Sequence, residues 1–91
     1  MIEILYKKGA FTVTATVKST PTTIVLNVYD KDGTHRITNK AMSLISTLKY
    51  STTFQTTSSW PIGNCYAIVH STGGGFDDYS EIEFPLEELH E

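Results

Sequence analysis

The sequence predicts an all-β protein with one domain, built as an antiparallel sandwich of seven or eight short strands. Apolar residues alternate with threonine and other polar residues along several segments, as they do in a strand with one buried face. Turn-forming residues separate these segments at intervals of about 8–12 residues, which is typical of sandwiches and barrels. The chain has 91 residues, of which 40% are hydrophobic, and this length accommodates a single core.

The N-terminal half contains the clearest strands. Residues 1–6 and 11–17 predict two strands, and in the second of these Phe11 begins a strict alternation of apolar residues with threonine. Residues 23–29 are apolar on much of both faces, which favours a strand inside a sheet. With the last strand they predict a core: Phe11, Val13, Ala15, Val17, Leu26, Val28 and Phe84.

The secondary structure of the middle of the chain is ambiguous from the sequence, whereas that of the C-terminal half is clear. Residues 39–49 have apolar residues at helical spacing that also fit an irregular strand, and we favour the strand because so short a run gives weak periodicity. Further strands are predicted at residues 50–54, 64–71 and 79–84. Pro85 is expected to end the last strand, so the predicted domain covers residues 1–85. A short acidic tail, residues 86–91, follows it.

Charge and composition argue against several partners. The net charge is −3 and the seven Lys and Arg residues are scattered, whereas nucleic-acid binding needs a clustered basic face. No apolar stretch approaches the roughly 20 residues of a membrane span. The first residues predict a strand rather than a signal peptide, so we expect synthesis in a reducing cytoplasm. The single cysteine excludes an internal disulfide.

Two groups of residues have the spacing of metal ligands. Asp30 and Asp32 precede Gly33, and alternate carboxylates occur in calcium loops, but a hairpin turn without an ion explains them better because further ligands are missing. His70 lies across a glycine hairpin from Asp77 and Asp78. Three ligands must converge to hold a metal, so we favour a surface histidine beside solvated acids.

No catalytic constellation is apparent in the sequence. Cys65 lies inside an apolar strand, where a cysteine is usually an inert core residue rather than a nucleophile. No nucleophile elbow and no glycine-rich phosphate loop before a helix is present. We therefore expect a protein that is not an enzyme and needs no cofactor.

Two stretches carry a resemblance to known families. Residues 60–69, Trp-Pro-Ile-Gly-Asn-Cys-Tyr-Ala-Ile-Val, resemble the E–F corner of immunoglobulin-like domains, although Tyr66 stands one residue later than usual. The wider pattern from residues 50–54 to 78–84 resembles small proteins encoded among phage structural genes. This resemblance implies an immunoglobulin-like sandwich in a virion, as a capsid decoration, a head–tail neck component or part of a fibre.

These observations lead to two functional expectations. The first is a structural protein that contacts other virion proteins in a symmetric, multi-copy assembly through sheet edges, the N-terminal strand or the tail. The second is a carbohydrate- or peptide-binding module that uses loop residues such as Trp60 or Phe76 with nearby acids. Trp60 serves equally well as an interface anchor or as a lid on the core. The candidate interface residues are Ile2, Ile4, Trp60, Phe76, Leu86 and Leu89.

Overall fold

The computed structural model of the chain describes residues 2–7, 9–57 and 59–87. These residues form eight strands and no helix, so none of them belongs to a helix able to cross a membrane. The strands in chain order are β1 (Ile2–Lys7), β2 (Ala10–Thr16), β3 (Thr23–Tyr29), β4 (His35–Ala41), β5 (Ser43–Ser46), β6 (Lys49–Gln55), β7 (Gly63–Gly73) and β8 (Phe76–Leu86).

The eight strands form two antiparallel four-stranded sheets that pack against each other. One sheet has the order β1-β2-β6-β5, and the other has the order β4-β3-β7-β8. If the strands are lettered A, B, C, C′, D, E, F and G, these orders become ABED and C′CFG, which is the strand order of immunoglobulin-type sandwiches. The all-β sandwich predicted from the sequence is therefore confirmed.

The core lies between the sheets and follows the predicted alternation. Six of the seven predicted core residues are buried, whereas Val17 is half-buried because it follows the end of β2. Four aromatic rings meet at one end of this core. Phe54 stacks on Phe11 at 5.4 Å and on Trp60 at 6.1 Å, and Phe84 tilts against Phe11 at 5.0 Å. Aromatic pairs at these distances add about 0.5–1.5 kcal/mol beyond the area that they bury.

In the structure, the ambiguous residues 39–49 contain the end of β4, all of β5 and the first residue of β6. The preference for strand over helix in residues 39–49 is thus confirmed. The backbone is irregular, however: Asn39 has a φ of 47°, and the pairing of β3 with β4 shifts register between Leu26 and Val28. Asparagine tolerates this left-handed conformation better than most residues do. The irregular backbone explains why residues 39–49 matched neither the helical nor the strand periodicity well.

The expected end of the last strand at Pro85 is wrong, because β8 continues through Pro85 to Leu86. Proline removes one donor from a ladder, but β8 lies at the edge of its sheet, where a missing outward donor costs little. Leu86 pairs with Gly63 in the register of β7 and is buried in the core. Leu86 is therefore part of the last strand, whereas residues 88–91 of the predicted tail lie outside the described residues.

Candidate functional site

Four strands have one edge that pairs with no other strand of the described residues. They are β1 and β5 in one sheet, and β4 and β8 in the other. An unpaired edge presents free N–H and C=O groups that pair readily with a strand of another chain. Proteins usually protect such edges with charged side chains, proline or bulges, so the chemistry of each edge indicates which partners it admits.

The edge of β5 has no charged residue and no proline, whereas β1, β4 and β8 all contain charged residues. Its sequence is Ser-Leu-Ile-Ser, and Leu44 and Ile45 are 61% and 55% exposed. The pairing of β5 with β6 shifts register between Leu44 and Ser46, which leaves Ile45 without a partner residue on β6. Two successive large apolar side chains therefore face solvent on an uncharged edge.

The edge of β8 is long and acidic. Its eleven residues include four carboxylates and neither lysine nor arginine. Paired residues in a sheet share a face, and the register of β7 with β8 shows which residues of β8 lie on the outer face. These residues are Asp77, Tyr79, Glu81 and Glu83, which lie opposite Thr72, His70, Ile68 and Tyr66 of β7.

Side chains of β7 contact three of these four outer residues of β8. The imidazole Nε2 of His70 bonds with the Asp77 carboxylate, and the His70 ring stacks on Tyr79 with 4.1 Å between ring centroids. The hydrogen bond of Tyr66 to Glu83, together with the charge of Glu83, raises the pKa of the Tyr66 hydroxyl. The structure thus brings His70 together with Asp77 but not with Asp78, which pairs with Ser71 on the other face.

A polar network on the outer face of the same sheet joins β3 to β4, at the edge of the sheet away from β8. The amide oxygen of Asn27 accepts bonds from His35 Nε2 at 2.8 Å and from the Asn39 backbone N–H at 2.9 Å. The His35 ring also stacks on Tyr29 at 4.4 Å. Sequence analysis missed these residues. The sequence could have indicated them, because tyrosine, histidine and asparagine stand at positions of the predicted strands that alternate with apolar residues.

The turn predicted at Asp30 is present, and its carboxylate has a structural role. Asp30 is 1% exposed; its Oδ1 accepts the backbone N–H groups of Asp32 and Thr34, and its Oδ2 accepts Arg36 Nε at 2.8 Å. Burial alone would raise the pKa of Asp30, but the bonds from Arg36, Thr34 and Asp32 outweigh it, so the pKa lies below its ordinary value. Both carboxylate oxygens are therefore already engaged within the protein.

Arg36 links this turn to the aromatic end of the core. Its Nη2 donates to the Ser59 carbonyl at 3.1 Å, and its guanidinium lies over the Trp60 ring, 5.7 Å from the centroid. Trp60 is buried against Phe54, so the structure places it as a lid on the core. The sequence could not decide between a lid and an anchor because the residues that cover Trp60 are distant from it along the chain.

The residues considered for chemistry are dispersed or buried. No group of three histidine, cysteine, aspartate or glutamate residues converges among the described residues. Cys65 is fully buried, and its burial, together with the charge of Asp30, raises the pKa of its thiol against the opposing effect of Arg36. One shallow cleft, near Lys18, Ser71 and Asp78, has a volume of about 160 Å³. Pockets for small molecules usually measure about 300–1,000 Å³.

The candidate interface residues occupy different positions. Ile2 and Ile4 are half-buried and pack against the core, and Trp60 and Leu86 belong to the core. Phe76 is half-buried, and its ring lies so close to Gly73 that a Cβ at that position would collide with it. Leu89 lies outside the described residues. The exposed apolar residues Leu44 and Ile45 were not among the candidates, since only the strand order reveals that β5 is an edge.

Comparison of the chain with models of protein families, with curated proteins and with solved structures finds no match.

Proposed function

We propose that this protein is a non-catalytic assembly protein, and that β5 is the edge through which neighbouring copies associate. The observation that carries the proposal is the pair Leu44 and Ile45, both more than half exposed on the one edge strand of the described residues that has no charge. Exposed apolar side chains on an edge that has neither charge nor proline to protect it are costly in a monomer, because they invite association.

A second copy is the partner that fits this edge best. The edges of β1, β4 and β8 all carry charged residues, so pairing β5 with any of them would bring a charge close to apolar side chains. Two β5 strands in antiparallel contact around a two-fold axis place apolar residues against apolar residues. Such a contact is self-complementary and closes after two copies. Because β5 has only four residues, we expect a weak dimer, which other contacts would have to join into a multi-copy assembly.

The assembly that the sequence resemblance implies is a phage-type particle. We propose this setting on the basis of residues 50–54, 60–69 and 78–84, and of a sandwich whose strand order matches that of immunoglobulin-type domains. Mass spectrometry of purified particles from cultures that produce the protein tests it directly. We expect peptides of this chain in the particles, and their absence would contradict a virion role.

The alternative, a binding module that uses its loops, has less support. Its proposed anchors were Trp60 and Phe76, and both rings already pack within the molecule. A carbohydrate or peptide would have to displace Arg36 from Trp60 or move Phe76 from Gly73. Apart from Ile62, the exposed large hydrophobic residues of the described chain lie instead on its strands.

The association of β5 is tested by sedimentation velocity of the full chain over a wide concentration range. We expect the weight-average sedimentation coefficient to rise with concentration, and the substitution Ile45→Lys to abolish that rise. Ile62→Lys is the matched control, because Ile62 is 57% exposed and lies outside the strands. A wild-type chain that stays monomeric throughout, or equal loss of association in both variants, would contradict the proposal.

A further inference from the structure

We propose that the outer edge of β8 accepts, as a fifth strand of the sheet β4-β3-β7-β8, an extended segment of a partner protein with lysine or arginine at every second position. This surface is distinct from β5 and does not depend on the association of copies. The inference rests on three features of β8: an unpaired backbone, the spacing of its charges, and contacts that hold its side chains in place.

The backbone of β8 offers a long ladder for a partner. The strand has eleven residues, all of them in register with β7, without a bulge in that pairing. Its other edge pairs with no described strand, although β1 packs against β8 from the opposite sheet. Only Pro85, next to the end of the strand, lacks an N–H group. An added strand gains affinity from main-chain hydrogen bonds and specificity from alternate side chains.

The charges on β8 select the kind of strand that can pair with it. Asp77, Glu81 and Glu83 lie on the outer face of the sheet, separated from one another by even numbers of residues. Strands β3, β7 and β8 contain four carboxylates and no lysine or arginine, and the one histidine among them, His70, bonds with Asp77 and not with Glu81 or Glu83. A second copy of β8 would bring like charges together, whereas a basic strand would place opposite charges in cross-strand contact.

The outer side chains of β8 are partly ordered before a partner arrives. His70 contacts both Asp77 and Tyr79, and Glu83 lies opposite Tyr66 and raises the pKa of its hydroxyl, so side chains of β7 interact with three of the four outer residues. Tyr79 is 66% exposed, and its ring has one face on His70. An arginine or lysine opposite Tyr79 would gain a cation–π contact. Because these side chains are already ordered, their binding loses little conformational entropy.

These features set the pattern of the partner strand. Residues that lie opposite each other in neighbouring strands have Cβ atoms about 4.5–5.5 Å apart, so the basic residues must fall opposite Glu81 and Glu83. Basic residues at every second position meet this condition and keep uncharged residues opposite Ile82 and Phe84 on the inner face, whereas a contiguous basic block also places charges opposite those apolar side chains. The pattern therefore distinguishes strand addition from simple attraction between a basic chain and an acidic surface.

The test uses the full chain and two labelled synthetic peptides of eleven residues. One peptide alternates lysine with threonine, and the other has the same composition with its lysines in one block. Fluorescence anisotropy should show about tenfold tighter binding of the alternating peptide. Hydrogen exchange should slow at amides of β8 when that peptide binds. Equal affinity for both peptides, or binding without protection of β8, would overturn the proposal.

A pair of matched variants locates the binding. Glu81→Gln with Glu83→Gln removes two charges from β8 and keeps oxygen acceptors in place, and should weaken the alternating peptide about tenfold. Glu3→Gln with Asp32→Asn removes two charges from exposed positions on β1 and in the Asp30 turn, and should leave affinity within about twofold. The same loss in both variants would show that net charge alone attracts the peptide, and would refute strand addition.

Discussion

The edge strands β5 and β8 differ in length and in charge. Both strands end a sheet, but β5 has four uncharged residues with exposed Leu44 and Ile45, whereas β8 has eleven residues with four carboxylates. Charge protects β8 against its own copies and leaves it open to basic strands, while β5 has no such protection. The difference leads to different proposed partners, a second copy of the chain for β5 and a basic strand for β8.

The largest expected effect is the loss of stability when a core residue is shortened, since substitutions at the two edges should change the stability little. Val28 of β3 is fully buried, so Val28→Ala should destabilise the protein by about 2–3 kcal/mol, through lost burial and the cavity left behind. Ile45→Lys and Glu81→Gln should change stability by less than about 0.5 kcal/mol, because their side chains are exposed. Urea denaturation measures all three. A melting temperature unchanged by Val28→Ala would remove Val28 from the core.

Acid should weaken the turn at Asp30, because its carboxylate accepts hydrogen bonds from Asp32, Thr34 and Arg36. The pKa of Asp30 lies below its ordinary value near 3.8, so the folded protein keeps this carboxylate charged where the unfolded chain binds a proton. Its contribution is therefore complete above about pH 4 and is lost as the pH falls through the folded-state pKa. Thermal melts of the wild type and of Asp30→Asn should converge on acidification. Parallel curves would contradict the role of Asp30.

Association through β5 should be insensitive to salt, and peptide binding to β8 should not be. Apolar contact between Leu44 and Ile45 of two copies involves no ion pair, whereas added salt screens the carboxylates of β8. Sedimentation of the chain and anisotropy of the alternating peptide, each measured from low to high ionic strength, compare the two. A steep loss of self-association in salt would indicate that charged residues, rather than β5, join the copies.

The smallest expected effect is a change in the pKa of Tyr66, which interacts with Glu83. The hydrogen bond to Glu83 and the charge of Glu83 raise the pKa of Tyr66, so Glu83→Gln should lower that pKa towards the ordinary value of about 10. Titration of the tyrosine ring signals by NMR follows the change. Glu3→Gln, on a different sheet, is the control and should leave Tyr66 unaffected. An unchanged Tyr66 titration in Glu83→Gln would mean that the bond is absent.

The sequence predicted the sandwich because alternation along β2 and β3 is a local property. Phe11, Val13, Leu26 and Val28 each lie two residues from another buried residue, and all four are buried as predicted. The end of β8 was mispredicted because the cost of Pro85 depends on whether its strand lies at an edge. Strand order is a tertiary property, so neither the tolerance of Pro85 nor the exposure of Ile45 can be derived from local pattern.

The central claim is that this protein works through two edges that take different partners. Hydrogen exchange of the full chain tests it most directly, with amides of β5 and β8 followed in the same experiment. The account predicts that raising the protein concentration slows exchange in β5 alone, and that adding the alternating lysine peptide to dilute protein slows exchange in β8 alone. Protection of both edges by the same partner, or of neither edge by either partner, would contradict it.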